Sequence, residues 1–422
     1  MKRAFILFAV IAVSMFLFSC QDQNTPEKDA DDTMKETIAQ IFDETESAPA
    51  ETQNNKDGIL TVDPKSFYKC VLFELPDGSF RDVAVDYMRK QASIKWVCAE
   101  TFSVKAQFDY WSIGLEYLKG ETYHGITYTN AKSSYDEFMM FYSDGKVTMK
   151  SGNPDEVVGN GCFSSIQNAT QQFDPSVAGV TDVIMPSYKG FQAQIVGGYT
   201  VPENVKRTED IKLANDVDTI YNAYSLLKKG DIIIQKDDTK GMSHARMLVE
   251  DPVIIKTGAG KINPSRSCVK TIEQTNAFDK TRKDGVKTTW FVDHVYSFAD
   301  LYSTNYLPIT LESYSKTKSD MEIPYLALDS EITSAILGKK VMSGSVKSNF
   351  PIRFVKVDIL NSDGEIVISK LKNNMENTRT LPLRNHFTSV LTDIEAGNYT
   401  MVLTAGISIS SAELARVDFS VK

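Results

Sequence analysis

The apolar residues of this chain change their spacing near position 330, and that change bounds the fold before any motif is read. Between about residues 58 and 328, stretches with apolar side chains three or four apart mix with short strand-like runs; from 335 to 422 only strand-like runs occur. A period near 3.6 buries a stripe of a helix, whereas a period of 2 buries one face of a strand. The expected fold is therefore α+β up to residue 328, followed by an all-β part from 335 to 422. A length of 422 residues accommodates two or three domains at roughly 150 residues each.

In the second part, 341–346, 352–360, 365–371, 388–391, 399–404 and 417–421 are strand candidates separated by turn residues. Asp363-Gly364 is a hairpin turn, because its glycine tolerates positive φ. The run from Ile394 to Tyr399 looks like the tyrosine corner of Greek-key sandwiches, whose phenol bonds back to a nearby backbone group. About seven strands in about 90 residues resemble an immunoglobulin-like or fibronectin-like sandwich.

At the other end, Lys2 and Arg3 precede an uncharged, mostly apolar run that closes at Cys20, the layout of a secretory signal over residues 1–19. Leu17-Phe18-Ser19-Cys20 resembles a bacterial lipobox, which implies a lipidated Cys20 and an exported, membrane-anchored protein facing the periplasm or the cell surface. Residues 20–57 are acidic and poor in large apolar side chains, and read as a flexible tether. The whole chain carries 46 Lys and Arg against 55 Asp and Glu, a net charge of −9. Such a surface repels the phosphate backbone, so no nucleic-acid partner is expected.

Within 58–328, Asp82 is a candidate cap for a helix through Val85, Met88 and Ala92. A second amphipathic helix places Ile211, Ala214, Val217, Tyr221, Tyr224 and Leu227 on one face and ends at Lys228-Lys229-Gly230. A strand, 231–235, a polar loop and a second strand, 243–249, follow.

The cysteines carry the chemistry to be explained. Cys70, Cys98, Cys162 and Cys268 form an even set in an exported chain, so disulfides in any of three connectivities are one reading. Cys162 has a second. Gly159-Asn160-Gly161 is a turn with Asn160 available to cap, and Cys162, Phe163, Ile166, Ala169 and Phe173 then recur at helical spacing. The thiol thus falls in the first turn of a mostly buried helix, where unpaired amides and the positive dipole end favour a thiolate. A base is needed, and only His124, His244, His294 and His386 exist. His386 lies in the sandwich, and His124 and His294 read as structural. His244 begins a strand after a polar loop and is placed to take the thiol proton.

This order of features resembles the NlpC-type papain-like cysteine peptidase superfamily. The matching segments are Gly125-Ile126-Thr127-Tyr128, Cys162-Phe163-Ser164-Ser165, Gly230-Asp231-Ile232-Ile233 and His244-Ala245-Arg246-Met247, within residues 120 to 275. The resemblance implies a papain-like catalytic domain over 58–328, with Cys162 as nucleophile, His244 as base and Tyr128 helping to position substrate. It further implies a histidine-orienting residue on the following strand, for which Glu273 and Gln274 are candidates and Glu273 is preferred. A carboxylate there would stabilise the imidazolium, while an amide would only orient it. Gly161 and Phe163 depart from the Asp and Ser that family members usually carry beside the cysteine, and the spacers around Cys162 are long.

The resemblance implies a hydrolase cutting an amide bond in a small peptide or peptidoglycan fragment, a cell-wall stem peptide above all, without metal or organic cofactor. A non-catalytic surface lipoprotein, using the same shell and the sandwich as binding modules, is the competing expectation. Other chemistries lack their signatures: there is no His-x-x-x-His or Cys-x-x-Cys pair, and Gly258-Ala259-Gly260-Lys261 lacks the rest of a phosphate loop.

Overall fold

The computed structural model describes residues 58–177, 193–373, 375 and 377–422. The expected signal, Cys20 and the tether lie outside the described residues. The architecture is α+β.

Ser79 starts the first long helix, Phe80–Ser93, because its hydroxyl accepts from the Asp82 amide and donates to the Asp82 carboxylate at 2.7 Å. The cap is thus one turn ahead of the expected Asp82, which answers it from the third helical position. Phe80, Ala84, Val85, Met88, Gln91 and Ala92 form the buried face. Packed against it is the helix Cys162–Thr170, all nine residues of which are buried. Behind that helix lies a six-stranded antiparallel sheet, in the order Trp290–Ser297, Cys268–Gln274, Met242–Leu248, Ile232–Asp237, Leu307–Leu311 and Ala193–Ile195. The Cys162 helix is therefore clamped between a helix and the strands that carry His244 and Glu273.

The single helix expected through Ile211 and Leu227 is two, Thr208–Leu213 and Val217–Ser225. The Asn215 side chain, which bonds both the Ile211 carbonyl and Thr200, breaks the run and Asp216 restarts it in extended conformation. Val217, left on the outside, is exposed.

In the C-terminal part, Phe354–Leu360, Ile366–Lys372, Gly397–Gly406 and Ser411–Val421 form one antiparallel sheet. Asp363-Gly364 turns the chain between its first two strands, and the Tyr399 hydroxyl donates to the Glu395 carbonyl at 3.3 Å, as the corner motif requires. A second sheet combines Tyr325–Leu328, Ser345–Ser348 and Thr380–Pro382 with Lys69–Leu72, which comes from well before the sequence boundary. The two sheets share one buried core that includes Leu326, Val346, Val357 and Leu403. The run 388–391 is not a strand: it lies in a helix, Leu383–Thr392, which buries Leu383, Phe387, Val390 and Leu391 at helical spacing.

Candidate active site

The two halves of the site are brought together by a short backbone ladder. Thr129 N–H donates to the Asn160 carbonyl at 2.9 Å and Asn160 N–H to the Thr127 carbonyl at 3.1 Å. Gly159 permits the approach, since a Cβ there would sit 2.3 Å from the Thr127 oxygen. This pairing sets Tyr128 beside the start of the Cys162 helix: its Cε2 lies 3.6 Å from where a Gly161 Cβ would be. Tyr128 is 9% exposed, and burial, reinforced by Cys162, pushes its phenol pKa up.

Asn160 does not cap the helix. Its amide turns inward and donates to Gln91 Oε1 at 2.7 Å, while Gln91 Nε2 donates to the Ser165 carbonyl at 3.0 Å. Gly161 holds the N-cap position, and its own N–H is taken by Ser164 Oγ at 2.7 Å. The Cys162 helix is thus indexed to the Phe80–Ser93 helix by buried side-chain amides. Cys162 is buried, 7% exposed, and in no disulfide; Cys70, Cys98 and Cys268 likewise form none, so the disulfide reading is set aside for all four.

His244 lies on the Met242–Leu248 strand, and its side chain keeps 20% exposure. Its Nε2 donates to Glu273 Oε2, and Cys162 lies near enough to act on the charge of its ring. With Nε2–H committed to a carboxylate, Nδ1 is the nitrogen left to present a lone pair to the thiol. Burial, the largest influence, pushes the imidazole pKa down, but Cys162 and Glu273 together outweigh it and raise it to about 9.

Glu273 is 1% exposed and stays ionised for the opposite balance. Burial pushes it up, while the Arg246 charge and the bonds from His244 and Tyr296 bring it down to about 2. Arg246 Nε donates to Oε2 at 2.8 Å and the Tyr296 hydroxyl to Oε1 at 2.5 Å. The adjacent Gln274 faces the other way, as alternation demands, and donates to the Ile126 carbonyl at 2.7 Å. It is not the histidine's partner; Glu273 is.

No family model and no curated protein sequence matches the chain. The chemistry of the site therefore rests on its own arrangement: an imidazole bonded to a buried carboxylate and acted on by a thiol at a helix start.

Three further residues complete the site. The Arg246 guanidinium lies 3.7 Å from the Tyr296 ring centroid and 4.1 Å from that of Tyr306. Tyr306 stands edge-on to the His244 ring at 6.3 Å, and Cys162 contributes to raising its phenol pKa above the ordinary value, an effect led by burial. Only Arg246 had a local signal, two positions after His244 and hence on the same strand face. His294 stacks on Tyr296 at 4.6 Å, behind the carboxylate, and His124 sits in the separate strand Thr122–His124. Among the described residues no cluster of three or more His, Cys, Asp or Glu is arranged to hold a metal ion. A cleft of about 520 Å³ between Tyr221 and Lys256 shares no residue with the site, and its Lys261 is paired to Asp218 at 2.9 Å.

Proposed function

We propose that the protein is a cysteine hydrolase that cleaves an amide bond in a small peptide. The observation that carries this reading is the His244 imidazole bonded to the buried Glu273 carboxylate and raised in pKa by the neighbouring Cys162 at its helix start. His244 Nδ1 takes the thiol proton, and the Cys162 sulfur adds to the substrate carbonyl carbon. Backbone amides at the helix start receive the oxyanion, because the first turn of a helix lacks internal acceptors. The imidazolium returns its proton to the leaving amine as the carbon–nitrogen bond breaks. Water, deprotonated by the same imidazole, then releases the acyl group and regenerates the thiol.

A papain-like catalytic domain is supported by the packing of the Cys162 helix start against the antiparallel strands bearing His244 and Glu273. An immunoglobulin-like sandwich is supported by the two sheets that share a core and by the Tyr399 corner. The signal-like start and Cys20 motif support an exported lipoprotein, and the resemblance of the Cys162 and His244 segments to NlpC-type peptidases supports a cell-wall stem peptide as substrate. No helix of the described residues is long and apolar enough to cross a membrane; the anchor in this reading is a lipid on Cys20.

The test is to label the protein with a thiol-directed electrophile and map the modified cysteine, with and without His244→Ala. Selective labelling of Cys162 that slows at least tenfold in the variant supports the hydrolase. Labelling of Cys162 no faster than an unfolded thiol, and indifferent to His244, favours the non-catalytic binding lipoprotein instead. Release of new amino groups from muropeptides then decides the substrate class.

A further inference from the structure

Resting on the hydrolase reading, we propose that Arg246 is a positioning residue whose fixed charge keeps Glu273 ionised while His244 loses and regains its proton, so that the proton never passes to the carboxylate. Glu273 is 1% exposed, and a buried carboxylate without a compensating cation takes up a proton. Its hydrogen-bond partners differ in kind. Tyr296 is a neutral donor on Oε1, and His244 is a cation only during part of the cycle. Arg246 alone is charged throughout, since a guanidinium does not deprotonate in proteins.

The groups that face Glu273 from the surrounding elements fit this division. The neighbouring strand supplies Tyr296 and His294, and burial pushes the His294 imidazole down, toward the neutral form. Tyr306 and Cys162 complete the surroundings and bring no second cation. Arg246 is itself confined, being stacked between the Tyr296 and Tyr306 rings with its Nε edge on the carboxylate. When His244 gives its proton to the leaving amine, Glu273 would otherwise be an isolated buried anion facing a neutral ring. With Arg246 present, it remains the acceptor that holds Nε2–H and leaves Nδ1 free for the next proton. Arg246 precedes Met247, whose pairing with Ile272 brings the two strands together beside Glu273, so the cation is built into the sheet rather than borrowed from a loop.

The experiment is the pH dependence of Cys162 alkylation by iodoacetamide in the full chain, with the site confirmed by mass mapping. The neutral replacement is made twice, as Arg246→Gln and as Arg246→Met, whose thioether packs between two rings, and melting curves identify the folded variant. In the folded variant the alkylation midpoint rises by about one pH unit or more, because a protonated Glu273 no longer supports the imidazolium. Arg246→Lys, which keeps the charge, stays close to wild type. Adding Arg246→Gln to Glu273→Gln moves the midpoint no further, since the arginine acts through the carboxylate. A midpoint unchanged or lowered in the neutral variants, or a full shift persisting without Glu273, overturns the proposal while leaving the hydrolase intact. Wild-type alkylation indifferent to His244→Ala would instead overturn the hydrolase reading, and this proposal with it.

Discussion

Gln172 Nε2 donates to the Ser408 carbonyl at 2.5 Å, tying the trailing end of the Cys162 helix to the turn between the two longest strands of the C-terminal sheet. Ser408 Oγ also donates to Gln171 Oε1 at 2.8 Å and accepts from Arg353 Nε at 2.9 Å, and Arg353 bonds Gln171 directly. Arg353 is 4% exposed, so these partners cannot be replaced by bulk water. Ser408→Ala is expected to lower unfolding stability by about 1–3 kcal/mol, the cost of stranding buried partners. It should also slow Cys162 labelling, because Gln171, just beyond the helix, loses its Ser408 hydroxyl partner while the Gln172 bond to the Ser408 carbonyl remains. Urea unfolding and labelling rates check both; a variant as stable and reactive as wild type would remove the C-terminal part from any role in the site.

The pH dependence of stability has a defined sign at the site. The His244 pKa is raised, so its contribution is fully present below about 6.5 and is lost as pH rises through about 9. Glu273 is depressed, so its contribution is present above about 4.5 and is lost as pH falls through about 2. Stability from this pair is therefore greatest between about pH 4.5 and 6.5. Glu273→Gln should flatten the alkaline decline, and thermal melts from pH 5 to 9 measure it. An alkaline decline of the same size in the variant contradicts the coupling.

Glu137 adds a separate slope. It is 1% exposed, and burial raises its carboxyl pKa to about 7 despite hydrogen bonds from Asn373 and Ser133 and the nearby Arg353. The folded state then holds its proton more tightly than the unfolded chain does, so stability falls as pH rises from about 4.5 to 7. Glu137→Gln is expected to abolish this fall without changing the alkaline decline due to His244. Denaturant titrations at pH 5 and pH 7 separate the two effects, and an unchanged slope in the variant rejects the assignment.

Gly125 gives the first motif its structural reason. Its φ is +80°, and a Cβ there would lie 2.2 Å from Trp290 Cδ1, in a wall where Trp290 Nε1 donates to the Ile126 carbonyl at 3.0 Å. Gly125→Ala combines a left-handed backbone penalty with overpacking, about 2–5 kcal/mol in all. Loss of most of the cooperative unfolding transition is the expected result; a melting point within a few degrees of wild type would show that the Trp290 contact is dispensable.

The sequence made Cys162 and His244 visible because helix start, apolar spacing and strand start are local patterns, and Ile166, Ala169 and Phe173 are indeed fully buried. The choice between Glu273 and Gln274 was not local. Both are buried, as are Thr271 and Ile272, so neither face of the strand was marked as solvent. Only the pairing with the His244 strand decides which one meets the imidazole. Tyr296 and Tyr306 are likewise placed by sheet order across gaps of more than fifty residues from His244. Asn160 misled as a cap because a buried amide partner on a distant helix outcompeted the local one. The helix Leu383–Thr392 had its period in view, in Leu383, Phe387, Val390 and Leu391, but it stands among strands, and β-branched Thr388 and Val390 suit either state.

The strand Lys69–Leu72 pairs along its whole length with Tyr325–Leu328, so the polypeptide enters the C-terminal sheet, leaves it to build the thiol site, and comes back. Two covalent crossings, rather than one hinge, join the halves. A recombinant fragment starting beyond residue 73 would forfeit an outer ribbon and bare the backbone edge of its neighbour, inviting self-association. Swapping either half into another protein would demand two splice points.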